Sequence, residues 1–483
     1  MPRSCASHNI SCMGKRKSTA CPNCTRLQQQ LAALQARLAQ VEQQLAAARK
    51  NSATSSKPPS SDIVKPTPPP AGASAEARAA GGQPGHPKHE RPLFADDLVA
   101  ATFEHRRDVC PDCGGALRPS GVAPRIVEQV DVTEPQPLHI ERHCQHETYC
   151  PCCDKSFRGV LPQHIEKGGL LGPKLTALVA YLKGMCHASF STVRKFLRDV
   201  VGVQVSRGYL VKVIAKVSAA LQAPYDELLH LLPGEPHVNV DETGHKDRKR
   251  RFWTWCFRAE LYTLFKISPT RSAEVLLEVL GREFDGVLGC DFFSAYRRYM
   301  RECGVELQFC LAHFIREVKF LLTLPDPRDR AYGESLLADL RRLFQVIHQR
   351  ERWSAAEFAQ QLQCARTGLL WRATHEMPAT AAAGKLAKRL QKHGESYFRF
   401  ITTPGVAPTN NLAEQAIRFV VIDRLITQGT RSDKGQRWCE RIWTVIATCA
   451  QHSRSAFEFV SQAVALWFEG KPGPSLLESA AAG

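Results

Sequence analysis

The chain has 483 residues, of which 43% are hydrophobic, and a formal net charge of +17 from 64 basic and 47 acidic side chains. This length allows about two to four domains, and the absence of an apolar run of about 18 residues excludes a membrane-spanning helix. The positive charge recurs along the whole chain and favours a nucleic-acid partner over a merely solubilising surface. The N-terminus has no apolar signal segment, so we expect the 18 Cys to be reduced and, where they cluster, to bind metal.

The first hundred residues predict a helix between two irregular segments. Residues 1–24 show no periodicity, and we expect them to be disordered, with a Cys-rich end of no assigned role. Residues 25–50 predict a helix whose apolar seam favours a short coiled coil, and hence a homo-oligomer, over packing within one domain. The seam consists of Leu27, Leu31, Leu34, Leu38, Val41 and Leu45. Residues 51–104 are dense in Pro, Gly and Ser and predict a flexible linker.

Two Cys-x-x-Cys pairs indicate a zinc-binding, zinc-ribbon-like module over residues 105–160. Cys110 and Cys113 form the first pair, and Cys150 and Cys153 form the second. Four thiolates suit a tetrahedral Zn²⁺ ion and leave no position for water, so the expected role is structural. Other candidate ligands in this module are His143, Cys144, His146 and Cys152.

Residues 161–230 predict a helical DNA-binding domain of the helix-turn-helix type. Ser191 and Ser206 are suited to cap its second and third helices. Arg207 and Lys212 on the third helix would then reach DNA. The same pattern also fits three packed helices that make no contact with DNA.

Further along the chain, short strands alternate with helices and predict an α/β core. We assign residues 231–315 and 400–453 to this core. Residues 316–399 interrupt it as a helical insertion, in which Ser354 begins a capping box. Residues 454–483 hold a last helix and a tail. The fold class is therefore multidomain α+β.

Three acidic residues of the predicted core are candidate ligands of Mg²⁺ or Mn²⁺. Asp241 lies at the tip of a strand that Gly244 ends, Asp291 ends a second strand, and Glu414 lies near a helix start. Two ions held by such carboxylates would activate a nucleophile and stabilise the leaving oxygen at phosphorus. Alternatives remain open, because Glu242 competes with Asp241 and Glu414 also fits a capping position in its own helix.

Several motifs, in order along the chain, resemble those of transposases of the insertion sequence 66 family. They are the Ser- and Pro-rich run at 51–62, Gly-Gly-Gln-Pro-Gly-His at 81–86, the two Cys pairs, Asp241-Glu242-Thr243, Cys310-Leu311-Ala312-His313 and Asn410-Asn411-Leu412-Ala413-Glu414. The resemblance implies a ribonuclease H-like catalytic core with a helical insertion. It also implies an Asp-Asp-Glu triad, which falls on Asp241, Asp291 and Glu414.

The chain departs from the family pattern around two of its motifs. The residues that follow Asp291 differ from those common in the family, and Gln415 stands where the family commonly has Arg. Arg418 or Arg424 would then supply the basic contact to DNA. Cys310 and His313 could bind a metal or orient DNA, although a lone Cys-x-x-His pair is usually structural.

Basic runs near the proposed acids are candidate phosphate contacts. Lys249, Arg250 and Arg431 lie in these runs, although such runs also form solvated faces.

The motifs and the charge together predict a metal-dependent DNA transposase that binds both Mg²⁺ and Zn²⁺. It would cut the ends of a transposon and transfer the 3′ ends into target DNA, in the bacterial cytoplasm and in association with the nucleoid. The expected partners are terminal inverted-repeat DNA, target DNA and accessory proteins of the same element. Two other functions fit the same motifs: a non-catalytic, zinc-dependent DNA-binding protein from a decayed element, and a structure-specific nuclease.

Overall fold

The computed structural model of the protein describes residues 22–50, 95–99, 102, 138–144, 146–150, 155–158 and 160–477. The chain divides into two compact units. The first comprises Met1–Pro66, Gln145–Arg194 and Ser206–Gly483, and the second comprises Thr67–Cys144 and Lys195–Val205. Every helix among the described residues is too short or too polar to cross a bilayer.

The N-terminal helix α1 spans Pro22–Ala48 and begins slightly before the predicted residue 25. The six apolar side chains of its seam are between 48% and 66% exposed. They form a stripe along the helix that is open to solvent. A coiled coil through this stripe stays a prediction.

A short antiparallel hairpin is the described part of the predicted zinc module. It consists of β1, Glu147–Cys150, and β2, Lys155–Arg158, with Cys150 paired to Lys155. Cys110, Cys113 and Cys153 lie outside the described residues, as does the side chain of Cys150. Zinc binding by these four residues therefore stays a prediction.

Five helices follow the hairpin. They are α2 Gln163–Gly168, α3 Pro173–Gly184, α4 Phe190–Phe196, α5 Arg207–Ala220 and α6 Gln222–Leu231. The predicted cap of α5 is confirmed, because Ser206 Oγ accepts from the Tyr209 N–H at 3.1 Å. The predicted cap of α4 is wrong: the helix begins at Phe190, one residue before Ser191, and Ser189 Oγ accepts from the Thr192 N–H at 3.1 Å.

The core is built on a mixed five-stranded sheet. Its strands are β3 His237–Asp247, β4 Arg250–Arg258, β5 Thr263–Ser268, β6 Val287–Cys290 and β7 Glu306–Phe309. The strand order is β5-β4-β3-β6-β7. β3, β4 and β5 pair antiparallel, whereas β6 and β7 run parallel to β3. Val238 and Val240 of β3 are fully buried, as their β-branched pattern predicts.

The predicted end of the first strand at Gly244 is wrong, because β3 continues to Asp247. The antiparallel partner β4 supplies backbone hydrogen bonds to β3 as far as Asp247, whereas the parallel pairing with β6 ends at Asn239. A strand extends as long as a neighbour satisfies its backbone groups, and a glycine alone does not stop it. Asp241 therefore lies beyond the parallel pairing but in the middle of β3.

Helices flank and interrupt this sheet. They are α7 Ala273–Leu280, α8 Ser294–Cys303, α9 Leu311–Leu321, α10 Pro327–His348, α11 Ala355–His375, α12 Ala381–Tyr397, α13 Arg399–Thr402, α14 Asn411–Thr427, α15 Asp433–Gln451 and α16 Ala456–Phe468. α10 packs against α9 and α11, and α11 packs against α12, between β7 and α14. The predicted capping box of α11 is confirmed, because Ser354 and Glu357 bond each other's backbone N–H groups.

Helix α15 covers the outer edge of the sheet at β5. Three of its side chains accept hydrogen bonds from alternate N–H groups of β5. Thr448 Oγ1 accepts from Thr263 at 3.2 Å, Thr444 Oγ1 from Phe265 at 3.1 Å and Glu440 Oε1 from Ile267 at 2.7 Å. Four helical residues rise about 6 Å and two strand residues about 6.7 Å, so the two series match.

Candidate active site

The carboxyl ends of the three parallel strands meet at one edge of the sheet. Asp241 lies on β3 two residues beyond Asn239, which pairs with Gly289 of β6. Asp291 follows β6 directly, and Cys310 follows β7. The Cys310 N–H donates to the Cys290 carbonyl at 2.8 Å, which holds the ends of β6 and β7 together. Ligand sites in open α/β sheets characteristically lie at such an edge.

A glycine allows β3 and β6 to approach closely below this edge. A Cβ atom on Gly289 would lie 2.2 Å from Asn239 Oδ1, which is too close for any side chain. Asn239 is itself only 3% exposed and has little room to move. Gly289 therefore helps to set the distance between the strands that carry Asp241 and Asp291.

Asn410 ties the start of α14 to the same edge. Its Nδ2 donates to the Val240 carbonyl at 2.8 Å, and its backbone N–H donates to Cys310 Sγ at 3.2 Å. The preceding segment is also held, because the Leu311 N–H donates to the Pro408 carbonyl at 2.9 Å. In the sequence, Asn410 belongs to a family motif but has no assigned role. An Asn directly before a helix is typical of an N-cap. Its side chain instead bonds a strand.

Glu414 faces the strand edge and does not cap its own helix. α14 begins at Asn411, so Asn411 is not its N-cap and Glu414 is its fourth residue, not the third, where a capping-box Glu lies; Asn410, before the helix, makes no capping hydrogen bond. Glu414 Oε1 lies 3.6 Å from His313 Nδ1, and Oε2 lies 3.7 Å from Arg316 Nη2. The alternative that Glu414 is a capping residue is therefore wrong.

The three candidate acids share a half-buried environment that opposes ionisation. Burial raises the pKa of Asp241 well above its usual range, and the charges of Glu242, Asp291 and Glu414 raise it further. Burial also raises the pKa of Asp291, although the Phe293 N–H, 2.8 Å from Asp291 Oδ1, opposes this shift. The pKa of Glu414 is raised by burial and lowered by Arg316. The charges of Asp291 and Glu414 thus act on Asp241, and the charge of Asp291 acts on Glu414.

Glu242 makes contacts of a different kind. It is 8% exposed, its Oε1 accepts from Arg271 Nε at 2.7 Å, and its Oε2 accepts from the Tyr296 hydroxyl. Burial and the charge of Asp291 raise its pKa to about 7, while Arg271 lowers it. Both oxygens of Glu242 are thus occupied by side-chain donors. Among the described residues, Asp241 accepts only a backbone N–H, that of Glu242, at 2.9 Å.

The acids present a donor set that fits a divalent cation. Asp241, Asp291 and Glu414 offer the carboxylate oxygens that Mg²⁺ and Mn²⁺ prefer. Glu414 Oε1 is buried without a hydrogen-bond partner among the described residues. Buried like charges are unfavourable unless a cation compensates them, and a bound divalent ion would do so.

A second donor set lies beside the acids and includes a thiol and an imidazole. One ligand atom from each of Cys310, His313 and Glu414 falls within 4.8 Å of the other two. Burial and the charge of Arg316 lower the pKa of His313 to about 4, so its ring is neutral near pH 7. The sequence indicated the Cys-x-x-His pair but not its third member.

The basic residues predicted to contact DNA are exposed, apart from Arg424, and several lie close together. Lys249 and Arg250 lie at the turn between β3 and β4. Arg431 lies beside this turn, because its carbonyl accepts from Arg248 Nε at 3.0 Å. We call Arg248, Lys249, Arg250 and Arg431 the hairpin cluster.

A glycine brings the two segments of the hairpin cluster together. Gly429 has a φ of +85°, and a Cβ atom there would lie 2.2 Å from the Lys246 carbonyl oxygen. The next residue, Thr430, donates its N–H to the same carbonyl at 2.9 Å. Both the backbone angle and the close approach therefore require glycine.

The remaining basic candidates lie on helices. Arg207 and Lys212 are exposed on α5, and Arg418 is exposed on α14 one turn after Glu414. Arg424 is instead held against β3, where its Nη1 donates to Thr243 Oγ1 at 3.1 Å. Arg418 and Arg424 were the two residues expected to supply the basic contact in place of an Arg at position 415. Of these two, only Arg418 is exposed. Contact with DNA stays a prediction for all of these residues.

Comparison with known proteins gives two family matches and one relative. Residues 168–437, more than half of the chain, match the model of the transposase IS66 family. Residues 14–92 match the model of a family of unknown function. An uncharacterized protein, y4jD of Sinorhizobium fredii, is 24% identical over 368 residues, which cover 70% of this chain and 69% of the relative.

Proposed function

The chain belongs to the IS66 family of transposases, and we propose that it cuts transposon ends and joins their 3′ ends to target DNA by metal-dependent phosphoryl transfer. The observation that carries this mechanism is the placement of Glu414. The bond from Asn410 to the Val240 carbonyl brings the start of α14 to the strand edge that holds Asp241 and Asp291. The mixed sheet with a helical block between β7 and α14 supports a ribonuclease H-like core.

Each of the three acids has a defined part in this proposal. Asp241 on β3 and Asp291 directly after β6 would hold the divalent cations, and the sheet sets the positions of both residues. Glu414 completes the ligand set from α14. When bound, Mg²⁺ or Mn²⁺ lowers the pKa of the attacking water or 3′-hydroxyl and stabilises the leaving oxygen at phosphorus.

Positioning residues support the acids in this mechanism. Arg271 and Tyr296 hold Glu242, the neighbour of Asp241, through both of its oxygens. Asn410 holds α14 against β3. Preorganisation of this kind matters because small displacements of a catalytic group reduce rates steeply.

DNA would approach the acids across exposed basic residues. Arg418 lies one turn from Glu414, and the hairpin cluster presents four Arg and Lys residues from adjacent segments. These residues would bind phosphates and position the duplex. Arg207 and Lys212 on α5 are candidates for contact with the terminal repeats.

The N-terminal segments would assemble the protein on paired ends. The exposed apolar stripe of α1 suits association with a second copy through a coiled coil. A zinc ion held by Cys110, Cys113, Cys150 and Cys153 would stabilise the module between α1 and the helical domain. Accessory proteins of the same element are further candidate partners.

The products formed from end-containing DNA test this proposal. We expect the purified chain with Mg²⁺ or Mn²⁺ to cut at the transposon ends and to join the 3′ ends to a second DNA. Cutting without joining would instead identify a structure-specific nuclease. Binding without cutting in either metal would identify a non-catalytic DNA-binding protein and would refute the proposed reaction.

A further inference from the structure

We propose that Cys310, His313 and Glu414 form a second metal site, which binds a thiophilic divalent cation of the Zn²⁺ class. Two of the ligands come from the junction of β7 and α9, and the third comes from the first turn of α14. The site deepens the proposed function in one respect, because Glu414 is also the third acid of the proposed triad.

The spacing of the ligand atoms matches a tetrahedral ion with small adjustments. His313 Nδ1 and Glu414 Oε1 are 3.6 Å apart. Two ligands bound to Zn²⁺ at about 2.0–2.1 Å in tetrahedral geometry lie about 3.3–3.4 Å apart. The ligand atom of Cys310 completes a triangle whose sides are all within 4.8 Å. Zinc–sulfur bonds are longer, about 2.3 Å, so the thiol tolerates the larger separation.

Two of the proposed ligand atoms are buried. His313 Nδ1 and Glu414 Oε1 have no hydrogen-bond partner among the described residues. Their separation of 3.6 Å is too long for a hydrogen bond between them. His313 is only 8% exposed, so solvent reaches it poorly. A cation between the two atoms would satisfy both.

The donor types select the class of metal. A thiolate, an imidazole and a carboxylate favour Zn²⁺ or Co²⁺, whereas Mg²⁺ prefers oxygen donors alone. The thiolate is the ligand, so binding forms a sulfur–metal bond and releases the thiol proton of Cys310 to solvent. Three protein ligands leave the fourth position open to water, as in sites that exchange a ligand.

The shared carboxylate gives the site a consequence for the reaction. A metal bound by Glu414 Oε1 draws that carboxylate toward His313. The magnesium ligand set of Asp241, Asp291 and Glu414 would then lose one member. We therefore expect Zn²⁺ to lower the Mg²⁺-supported rate on end-containing DNA.

Cobalt binding to the reduced full-length chain tests the site independently of catalysis. Thiolate-bound Co²⁺ gives a charge-transfer absorption band, and elemental analysis after removal of free metal counts the bound ions. We expect Cys310→Ser to bind one equivalent less Co²⁺ than the unchanged chain and to lose part of the band. Cys364→Ser, which removes an exposed thiol on α11, is the matched control and should change neither reading. Any Co²⁺ held by the other Cys residues is common to all three proteins and cancels.

The serine variant keeps an acceptor for the Asn410 N–H, and circular dichroism with thermal melting checks its fold. His313→Gln provides a second route, because it removes a ligand without touching a thiol and should also lose one equivalent. Equal cobalt binding by the unchanged chain and a folded variant of either kind would overturn the site. A different result is that the unchanged chain does not cut end-containing DNA, while both variants still bind one equivalent less Co²⁺ than it does. That result would refute the proposed reaction and leave the metal site standing.

Discussion

At the scale of single residues, the position of Glu414 depends on Asn410. The local sequence around Glu414 fits both a helix-capping residue and a catalytic acid. Only a contact with a residue distant in the chain decides between these two roles. Asn410 Nδ2 bonds the Val240 carbonyl, and Glu414 consequently faces His313 and Arg316. Contacts between residues so far apart in the chain leave no local pattern in a sequence.

Replacement of Asn410 tests this dependence. Asn410→Ala leaves the buried Val240 carbonyl without its donor, and we expect a loss of stability of about 1–3 kcal/mol. We also expect slower end cleavage, because the start of α14 is released from β3. Denaturant unfolding and cleavage rates measure the two effects.

The neighbouring Asn411 provides the control for this change. It is exposed at the first position of α14, and Asn411→Ala should change stability by no more than about 0.5 kcal/mol. Equal effects of the two substitutions on stability and cleavage would show that Asn410 does not position Glu414.

His245 makes stability depend on pH. Burial, followed by the charge of Arg424, lowers its pKa from 6.5 to about 4, so it stays neutral in the folded protein while the unfolded chain takes up a proton. Stability should therefore fall as the pH drops from 6.5 to about 4, by up to about 1.4 kcal/mol per pH unit from this residue. His245→Gln keeps a donor for Thr430 but cannot titrate, and its melting temperature should fall less steeply over this range.

An exposed histidine is the control for that slope. His348→Gln replaces an exposed histidine on α10, and its melting temperature should fall with pH as steeply as that of the unchanged protein. If the melting temperatures of His245→Gln and of the unchanged protein fell equally steeply with pH, burial would not lower the pKa of His245 in the folded protein.

The candidate acids differ in how far sequence could predict them. Asp291 directly follows a short apolar run that identifies the end of β6 locally, whereas Asp241, predicted at a strand tip, lies in the middle of β3. The orientation of Glu242 toward Arg271 and Tyr296 could not be predicted, because both partners lie in later elements. The third ligand beside Cys310 and His313 escaped prediction for the same reason.

At the scale of elements, strand and helix ends depended on partners that a sequence pattern does not specify. β3 passes through Gly244 because β4 pairs with it as far as Asp247. α4 starts after Ser189, although Ser191 is an equally suitable capping residue. Caps supported by two reciprocal bonds were easier to predict, as with Ser354 and Glu357.

The contact between α15 and β5 yields a prediction at this scale. Thr444→Val keeps the shape of the side chain but leaves the buried Phe265 N–H without an acceptor. We expect a loss of stability of about 1–3 kcal/mol in denaturant unfolding. Thr367→Val on the exposed face of α11 should change stability by less than about 0.5 kcal/mol. A loss of stability no greater than that of the control would mean that the Phe265 N–H finds another hydrogen-bond acceptor.

At the scale of the whole molecule, α1 offers the means of association. Leu34→Lys together with Leu38→Lys places two charges in the apolar stripe, and we expect the chain to shift toward monomer because a coiled coil cannot bury them. Analytical ultracentrifugation measures this shift. Gln29→Lys together with Ala36→Lys adds the same charge outside the stripe and should leave the oligomer unchanged. An oligomer that survives the first pair would show that association does not depend on α1.

In the proposed reaction, Asp241, Asp291 and Glu414 act as one metal-dependent site. The most direct measurement is the rate of Mg²⁺-dependent cleavage of end-containing DNA by Glu414→Gln beside Glu283→Gln, an exposed acid outside the site. Loss of a metal ligand is worth several kcal/mol, so we expect Glu414→Gln to be slower by at least about a hundredfold while still binding the DNA. Glu283→Gln should cleave at the unchanged rate. Equal rates for the two variants would show that Glu414 is not a metal ligand in the cleavage reaction.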